Sequence, residues 1–381
     1  MAPAFATVAV VGIGLIGGSL ARALKALDHP PVVYAVDTDA DSLAWALENH
    51  IADDVAVPSD DKAIEWLSGG GVELVVLATP AKATIEWLSS LGASGFDGGI
   101  TDVASTKGGV LAAAESLLDH PERFVGGHPM TGSERSGVSA SKTDLFAGAY
   151  WLLTPSAETD PEAYRKVHAT VSSVGARVIS VDAKSHDEAV AIVSHVPHVA
   201  AAALVDLASA HAGDNGELLR LAAGGFKDTT RIAAGSPDLW TGICLDNAEA
   251  LAAGLSRLRG VLRDFEVRVR SRDAAAITQW LEEAADVRRS LPAKWVPATT
   301  ALAELVVPMG DRPGVVAEIT GAVSRAGCNI EGIDIDHETE DRALLVLVLT
   351  DEGDQSKLLA ELDELGYEHR LTPLADTEEV G

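Results

Sequence analysis

The chain has 381 residues, more than one ordinary hydrophobic core accommodates, so two or three domains are expected. Apolar residues make up 47% of it, enough to bury large cores and to exclude wholesale disorder. Acidic residues outnumber basic ones 57 to 29, and the formal charge of −28 repels phosphate backbones and anionic lipid, arguing against a nucleic-acid or membrane partner. The two cysteines, Cys244 and Cys328, are far apart and fit neither a disulfide framework nor a zinc site, so a reducing, cytoplasmic setting and no metal are expected.

From Met1 through Ala21 the sequence is uncharged. No basic segment opens it, and glycines at 12, 14, 17 and 18 would weaken a spanning helix, so neither a signal peptide nor an anchor is expected. Short apolar runs at Thr7–Val11, Val32–Val36, Leu74–Leu77, Gly99–Val103, Phe124–Val125, Trp151–Leu153 and Ala176–Ser180 read as strands. The early ones alternate with helical stretches such as Gly17–Leu27 and Asp41–Asn49. Near-continuous apolar strands separated by helices predict a parallel sheet covered on both faces, an α/β domain over 1–183.

From residue 184 to 296 the pattern becomes all-helical. Ser185 to Glu188 has the form of a capping box with Ser185 at the N-cap, and Ser236-Pro237-Asp238 opens a further helix. Pro197 should kink its helix beside His195 and His198. By fold-level analogy such a block builds a second wall beside a nucleotide-binding domain, and often a dimer interface. Leu291 to Pro297 looks like a linker. The remainder, 297–381, spells β-α-β-β-α with a possible last strand near Tyr367–Arg370, a small α+β unit of the ferredoxin-like kind.

The first strand runs into Gly12-Ile13-Gly14-Leu15-Ile16-Gly17, a G-x-G-x-x-G turn opening a helix. Gly12 permits the tight turn, Gly14 lets backbone approach a pyrophosphate, and Gly17 lets helix and strand pack closely, with Leu15 and Ile16 in the first helical turn. Asp37 ends the second strand about 20 residues on, placed to accept the adenosine ribose hydroxyls; no arginine stands beside it to hold a 2′-phosphate. The expected cofactor is therefore NAD, in a Rossmann-like domain.

Three further segments put polar side chains at strand ends or beside the kinked helix: Thr101 to Lys107, Gly126 to Gly137, and His186-Asp187 with Ser194-His195-Val196-Pro197-His198. Together with Gly-x-Gly-Leu-Ile-Gly-Gly-Ser-Leu and Phe226-Lys227-Asp228-Thr229-Thr230-Arg231, they resemble the prephenate dehydrogenase family of the kind with a C-terminal ACT domain, over nearly the whole chain. That resemblance implies oxidative decarboxylation of prephenate, or of its amino analogue arogenate, and a homodimer. It implies that His128 takes the ring hydroxyl proton, that Ser105 binds that hydroxyl, and that Arg231 and His198 hold substrate carboxylate. Trp240 is placed near the pocket and Glu134 at its mouth. An ACT-like turn at Asp311, Arg312, Pro313 and Gly314, with Asn329 and Ile330 after the helix, implies an amino acid effector, an aromatic one first.

Other readings of these residues stay open. Ser105 suits an N-cap of the following helix, Arg231 a surface ion pair, and Lys107 either a ligand contact or solvent. His195 reads as a core histidine satisfied by backbone, His186 as support for a helix start, His168 and His211 as surface residues, and Cys244 as packing. A hydroxyacid dehydrogenase on the same plan would need a helix-borne lysine and leave Gly-His-Pro-Met without a role. A non-catalytic sensor would keep Gly12, Gly14 and Asp37 but not need His128, Ser105 and Arg231 together.

Overall fold

The computed structural model describes residues 4–132, 135–212, 224–290, 302–310, 312–339, 342–350 and 353–374. Its contacts divide the chain into two units, residues 1–186 with 297–381, and residues 187–296. The expected linker lies outside the described residues.

The first unit is built on eight strands: β1 (Thr7–Val11), β2 (Val32–Val36), β3 (Asp54–Ala56), β4 (Leu74–Leu77), β5 (Gly99–Asp102), β6 (Phe124–Pro129), β7 (Tyr150–Thr154) and β8 (Arg177–Ser180). Their order is β3-β2-β1-β4-β5-β6-β7-β8. The connections carry α1 (Leu15–Lys25), α2 (Ala40–Glu48), α3 (Asp61–Trp66), α4 (Ala81–Ser94), α5 (Gly108–Leu117) and α6 (Pro161–Ser173). All four residues of β4, and Val8 to Val11 of β1, are buried, as strands covered on both faces must be. Chain order reverses between β1 and β4, the crevice where open α/β sheets hold ligands.

Three details depart from the sequence reading. The sheet is not wholly parallel, because β6 and β7 pair antiparallel. Strand β3 was unforeseen; three residues give no pattern to read. Strand β6 continues through Pro129, so His128 sits inside a strand rather than after one.

The helical stretch begins with α7 (Ala183–Val190) and a π-helical turn, Ala191–His195, followed by α8 (Val196–Ala212). A π-turn just ahead of Pro197 is the expected answer to a ring that displaces the carbonyl of Val193. The cap is not Ser185: Asp182 accepts the Ser185 N–H at 2.9 Å, so Asp182 caps α7 and Ser185 lies within it. Beyond it come α9 (Gly224–Thr230), a 3₁₀ turn Arg231–Ala234, α10 (Pro237–Asp246), α11 (Ala248–Ser271) and α12 (Ala274–Ser290). Ser236 caps α10, with Pro237 in its first turn. Considered alone, the second unit leaves Val193, Leu207, Leu245, Leu262, Val267 and Val287 exposed.

The C-terminal module returns to the first unit: β9 (Leu302–Gly310), α13 (Val315–Arg325), β10 (Ile330–Thr339), β11 (Arg342–Thr350), α14 (Gln355–Glu364) and β12 (Arg370–Leu374). Its antiparallel sheet runs β10-β11-β9-β12. Buried residues along β11 alternate with half-exposed ones, the mark of a sheet covered on one face. Its apolar core runs on continuously into that of the eight-stranded domain. The two modules meet where α13 packs on β8 and β10 on α6, and exposed Glu331 lies 3.9 Å from the buried Arg177 guanidinium of β8.

Candidate active site

The turn after β1 is shaped by what its glycines lack. Gly12 has φ +90°, and a Cβ there would come within 2.6 Å of the Ala78 carbonyl oxygen at the end of β4. A Cβ on Gly17 would run into the Gly12 carbonyl oxygen, so helix and turn touch only because it is absent. Gly14 differs: nothing lies within 4 Å of where its Cβ would be. It stands at the N-cap of α1, whose first turn has no side-chain cap and no acidic residue. Uncapped N–H groups beside open space make an anion cradle. Leu15 and Ile16 form its first turn, both half-buried. Asp37 braces the cradle: one carboxylate oxygen accepts the Ile13 N–H at 2.7 Å and the other the Asp39 N–H at 2.9 Å. Each oxygen keeps a further lone pair for a ribose hydroxyl. These residues fit a dinucleotide. Arg22, on α1, bonds Ser141 through Nε at 2.8 Å and lies over the Trp45 ring.

Two and three strands along from β1, β5 and β6 deliver the second half of the site to the same edge of the sheet. Three inter-strand steps, from β1 to β6, are roughly 14 Å, a gap for a nicotinamide–ribose arm to cross. Ser105 is half-buried on the loop between β5 and α5. It does not cap α5, which starts at Gly108 with Lys107 in the N-cap position. His128, near the end of β6, is 9% exposed. Its Nδ1 lies 2.9 Å from Nε2 of His186, on α7, with the rings edge to face. His186 itself is fully buried. Beneath them Asp102 and Lys107 form a fully buried ion pair that also bonds the backbone of Gly127. Lys107 is therefore neither solvated nor aimed at a ligand.

In the second unit the ring of His198 stacks on Trp240, with centroids 3.4 Å apart. A Cβ on Gly235 would meet the Trp240 Nε1 at 2.8 Å, so that glycine lets the loop lie on the stack. Burial pushes the His198 imidazole below the ordinary histidine value, and its buried Nδ1 has no hydrogen-bond partner among the described residues. His198 is thus a neutral donor or acceptor rather than a cation. His195 is a buried core residue as expected, and its Nδ1 lies 3.3 Å from the Asn247 side-chain amide. Asn247 in turn donates to the Asp187 carbonyl at 2.7 Å. Arg231 opens the 3₁₀ turn, is exposed, and pairs with no carboxylate among the described residues.

The structure brings Gly12, Gly14, Gly17 and Asp37 into one cradle, His128 and Ser105 to the same sheet edge, and His198 onto Trp240. Glu134 and Asp311 lie outside the described residues. Gly314, with φ +83°, is the N-cap of α13, and its N–H faces the Thr159 carbonyl at 3.4 Å. Pro313 is exposed beside it, and Ile330 and Asn329 are buried. Asn329 donates to Glu331 at 2.8 Å and leaves its buried amide oxygen without a partner among the described residues. His168 is not a surface residue; it is 2% exposed in α6, and burial lowers its pKa to about 4. His186 was missed as a partner of His128. The one available signal was His186-Asp187 in the helix that follows β8, and distance along the chain hides the pairing.

Residues 20–180 match the model of the prephenate dehydrogenase nucleotide-binding domain, 182–283 that of the prephenate dehydrogenase dimerization domain, and 304–367 the ACT domain. The glycine turn precedes the first match, so the case for it rests on geometry. A prephenate dehydrogenase of Bacillus subtilis is 35% identical over 344 residues, 88% of this chain and 89% of that protein. The structure is similar to prephenate dehydrogenase from Aquifex aeolicus in complex with hydroxyphenyl propionate and NAD+, with TM-score 0.70 and 30% identity over 75% of this chain and 98% of that one. It is also similar to Synechocystis arogenate dehydrogenase, with TM-score 0.64 and 28% identity over 75% of this chain and all of that one. On these matches and this geometry, the chain belongs to the prephenate dehydrogenase family.

Proposed function

We propose that the protein catalyses the NAD-dependent oxidative decarboxylation of prephenate to 4-hydroxyphenylpyruvate, the step toward tyrosine. The observation that carries this reading is a buried histidine, His128, at the sheet edge that also holds the Gly12–Gly17 cradle, its ring held by a second histidine. Gly14 and the first turn of α1 would hold the pyrophosphate of NAD and Asp37 its adenosine ribose. When bound, NAD supplies the acceptor for the hydride leaving ring C4.

The chain's own groups do the rest. His186 accepting from Nδ1–H fixes the His128 tautomer and leaves Nε2 as the base. Nε2 takes the proton of the 4-hydroxyl as the C4–H pair departs, and Ser105 orients that hydroxyl. The bond from C1 to the ring carboxylate then breaks, its electron pair enters the ring, and CO2 leaves. The proton held by His128 returns to the phenolic oxygen, so the sum of prephenate and NAD+ gives product, CO2 and NADH with no net proton. Aromatisation supplies the driving force. Arg231 pairs with a substrate carboxylate, for which a bidentate guanidinium is suited in a strongly acidic protein. Neutral His198, stacked on Trp240, adds a hydrogen bond, and Glu134 stands at the mouth.

We assign residues 1–183 to dinucleotide binding, 184–296 to substrate binding and dimerisation, and 297–381 to regulation. Ala183–His211 is long and apolar enough by length and composition to cross a membrane, and only 28% of its most apolar window is buried. A second copy of the chain accounts for that face and for exposed Leu245 and Val267, in a domain whose family model is one of dimerization. The enzyme is then a cytoplasmic homodimer. An aromatic amino acid is the proposed effector at Gly314 and Asn329, where the orphaned amide oxygen seeks a donor such as an ammonium group.

Arogenate is the second reading, favoured by the likeness to an arogenate dehydrogenase. The two substrates share the ring and differ only at the side chain. Initial rates of NADH formation by the full chain, with each substrate and with NAD or NADP, decide between them. Prephenate with NAD should give the highest kcat/KM; no turnover of either substrate would overturn the assignment.

A further inference from the structure

Strand β5 stops pairing with β6 before the residue that matters. The parallel ladder joins Ile100 to Phe124 and Thr101 to Val125, then ends, two residues short of Gly127 and three short of His128. Side chains continue where the backbone ladder leaves off. The Gly127 N–H donates to Oδ1 of Asp102 at 3.0 Å, and the Gly127 carbonyl accepts from Nζ of Lys107 at 2.7 Å. Lys107 also bonds the other carboxylate oxygen of Asp102, which accepts the Ala104 N–H at 2.9 Å as well. Both charged groups are buried to within 1%.

The glycines ahead of His128 make this possible. A Cβ on Gly126 would collide with Thr154 Oγ1 and touch the Lys107 stem at 3.5 Å. A Cβ on Gly127 would come within 2.6 Å of the Asp102 carbonyl oxygen and 2.9 Å of Trp151 Nε1. Gly-Gly-His and Asp-x-x-x-x-Lys are therefore one device seen from two places in the chain.

We propose that Asp102 and Lys107 are positioning residues for His128, holding both backbone polar groups of the residue before it. A fully buried ion pair is costly to desolvate and adds little stability over apolar side chains of similar size, so stability alone is a poor reason for it. Its geometry supplies a better one: it fixes the height of β6 at the site, and a misplacement of about 1 Å there is enough to lower turnover about a hundredfold.

The inference rests on His128 being the base, and the test separates the two. In the full chain, Asp102→Asn with Lys107→Met removes both charges at once and leaves none unpaired. The kcat with prephenate should fall roughly 10- to 100-fold, while the NAD dissociation constant stays within twofold. The acid limb of the pH profile should stay where it is, because His128 still titrates. Amide exchange across 124–129, read without any substrate, should quicken at least tenfold with exchange across 7–17 unchanged. A folded double variant with native kcat, or one whose exchange across 124–129 is unaltered, overturns the proposal. Loss of the acid limb would make Lys107 a chemical participant and overturn it too. If the double variant does not fold, Lys107→Arg keeps the ion pair but cannot place one nitrogen on both acceptors; native kcat in that variant is equally fatal. Inactivity of the native chain on both cyclohexadienols would instead remove the parent reading, leaving the exchange result to judge the clamp.

Discussion

The glycine turn after β1 and the Gly-Gly-His segment of β6 both depend on missing Cβ atoms, but for different purposes. At Gly12 and Gly17 the absent side chain lets backbone approach backbone, and at Gly14 it leaves room for a ligand. At Gly126 and Gly127 it also makes room for side chains of other segments, Thr154 and Trp151, beside the Asp102 carbonyl. The first region needs one carboxylate, Asp37. The second needs four buried ionisable groups, Asp102, Lys107, His128 and His186, each with a partner. A cofactor site can be made from backbone dipoles, which tolerate change around them. A proton-transfer site needs a side chain held within a fraction of an ångström, and its supports are themselves side chains.

The comparison breaks if damage to one half spreads to the other. The largest effect should come from His128→Asn, which keeps size and a hydrogen-bonding group but no base. The kcat should drop roughly 10²–10⁴-fold, with NAD affinity and thermal stability unchanged; parallel loss of NAD binding would show that the halves are not separate.

Arg231→Ala carries the comparison to the second unit. Loss of one charge-assisted pair costs about 1.5–3 kcal/mol, so KM for prephenate should rise roughly 10- to 150-fold and KM for NAD should not. Equal rises in both constants would place Arg231 outside the substrate pocket.

His168 sharpens the contrast between partnered and unpartnered buried groups. Its Nε2 has no partner among the described residues, and its pKa of about 4 lies below that of an unfolded histidine. The unfolded chain therefore takes up a proton first as pH falls, so stability is lost from about pH 6.5 downward until about pH 4. The loss is about 1.4 kcal/mol by pH 5.5 and about 3 kcal/mol in full. Across that window the urea midpoint of native protein should fall with acid relative to that of His168→Leu, with catalysis at pH 7.5 untouched. An identical acid dependence in both would show that His168 is charged in the fold.

The smallest effect belongs to the backbone half. Asp37→Ser with Thr38→Arg should shift preference from NAD toward NADP by roughly fivefold, the worth of about one hydrogen bond. Native protein that already uses both cofactors equally would remove Asp37 from the ribose.

These two regions were unequally legible in the sequence. Spacing alone located Gly12, Gly14, Gly17 and Asp37, because a turn and the strand beside it are local and period-bound. The strands β1, β2 and β4 were readable from runs of apolar residues for the same reason. Strand β6 was cut short at Val125, since glycine and proline read as a turn while the ladder to β7 carries the chain on to Pro129. Ser185 looked like a cap because Glu188 lies three residues on, but the helix starts earlier, with Asp182 accepting the N–H of Ser185 itself. The contacts of His186 with His128 and of Lys107 with the Gly127 carbonyl could be placed only in three dimensions, since they join residues 58 and 20 apart in the chain. The regulatory turn shows the same limit. A Cβ on Gly314 would meet the Ala157 carbonyl, so a substitution there disturbs contact with the nucleotide-binding module as well as any effector.

The central claim is that His128 takes the substrate proton, and the pH dependence of kcat/KM for prephenate at saturating NAD tests it most directly. Native protein should lose activity on the acid side as a single group protonates, and in His128→Asn that limb should be gone, leaving a low, flat rate. A limb that survives at the same pH in His128→Asn would contradict the account and move the base to another group, with His186 the first to examine.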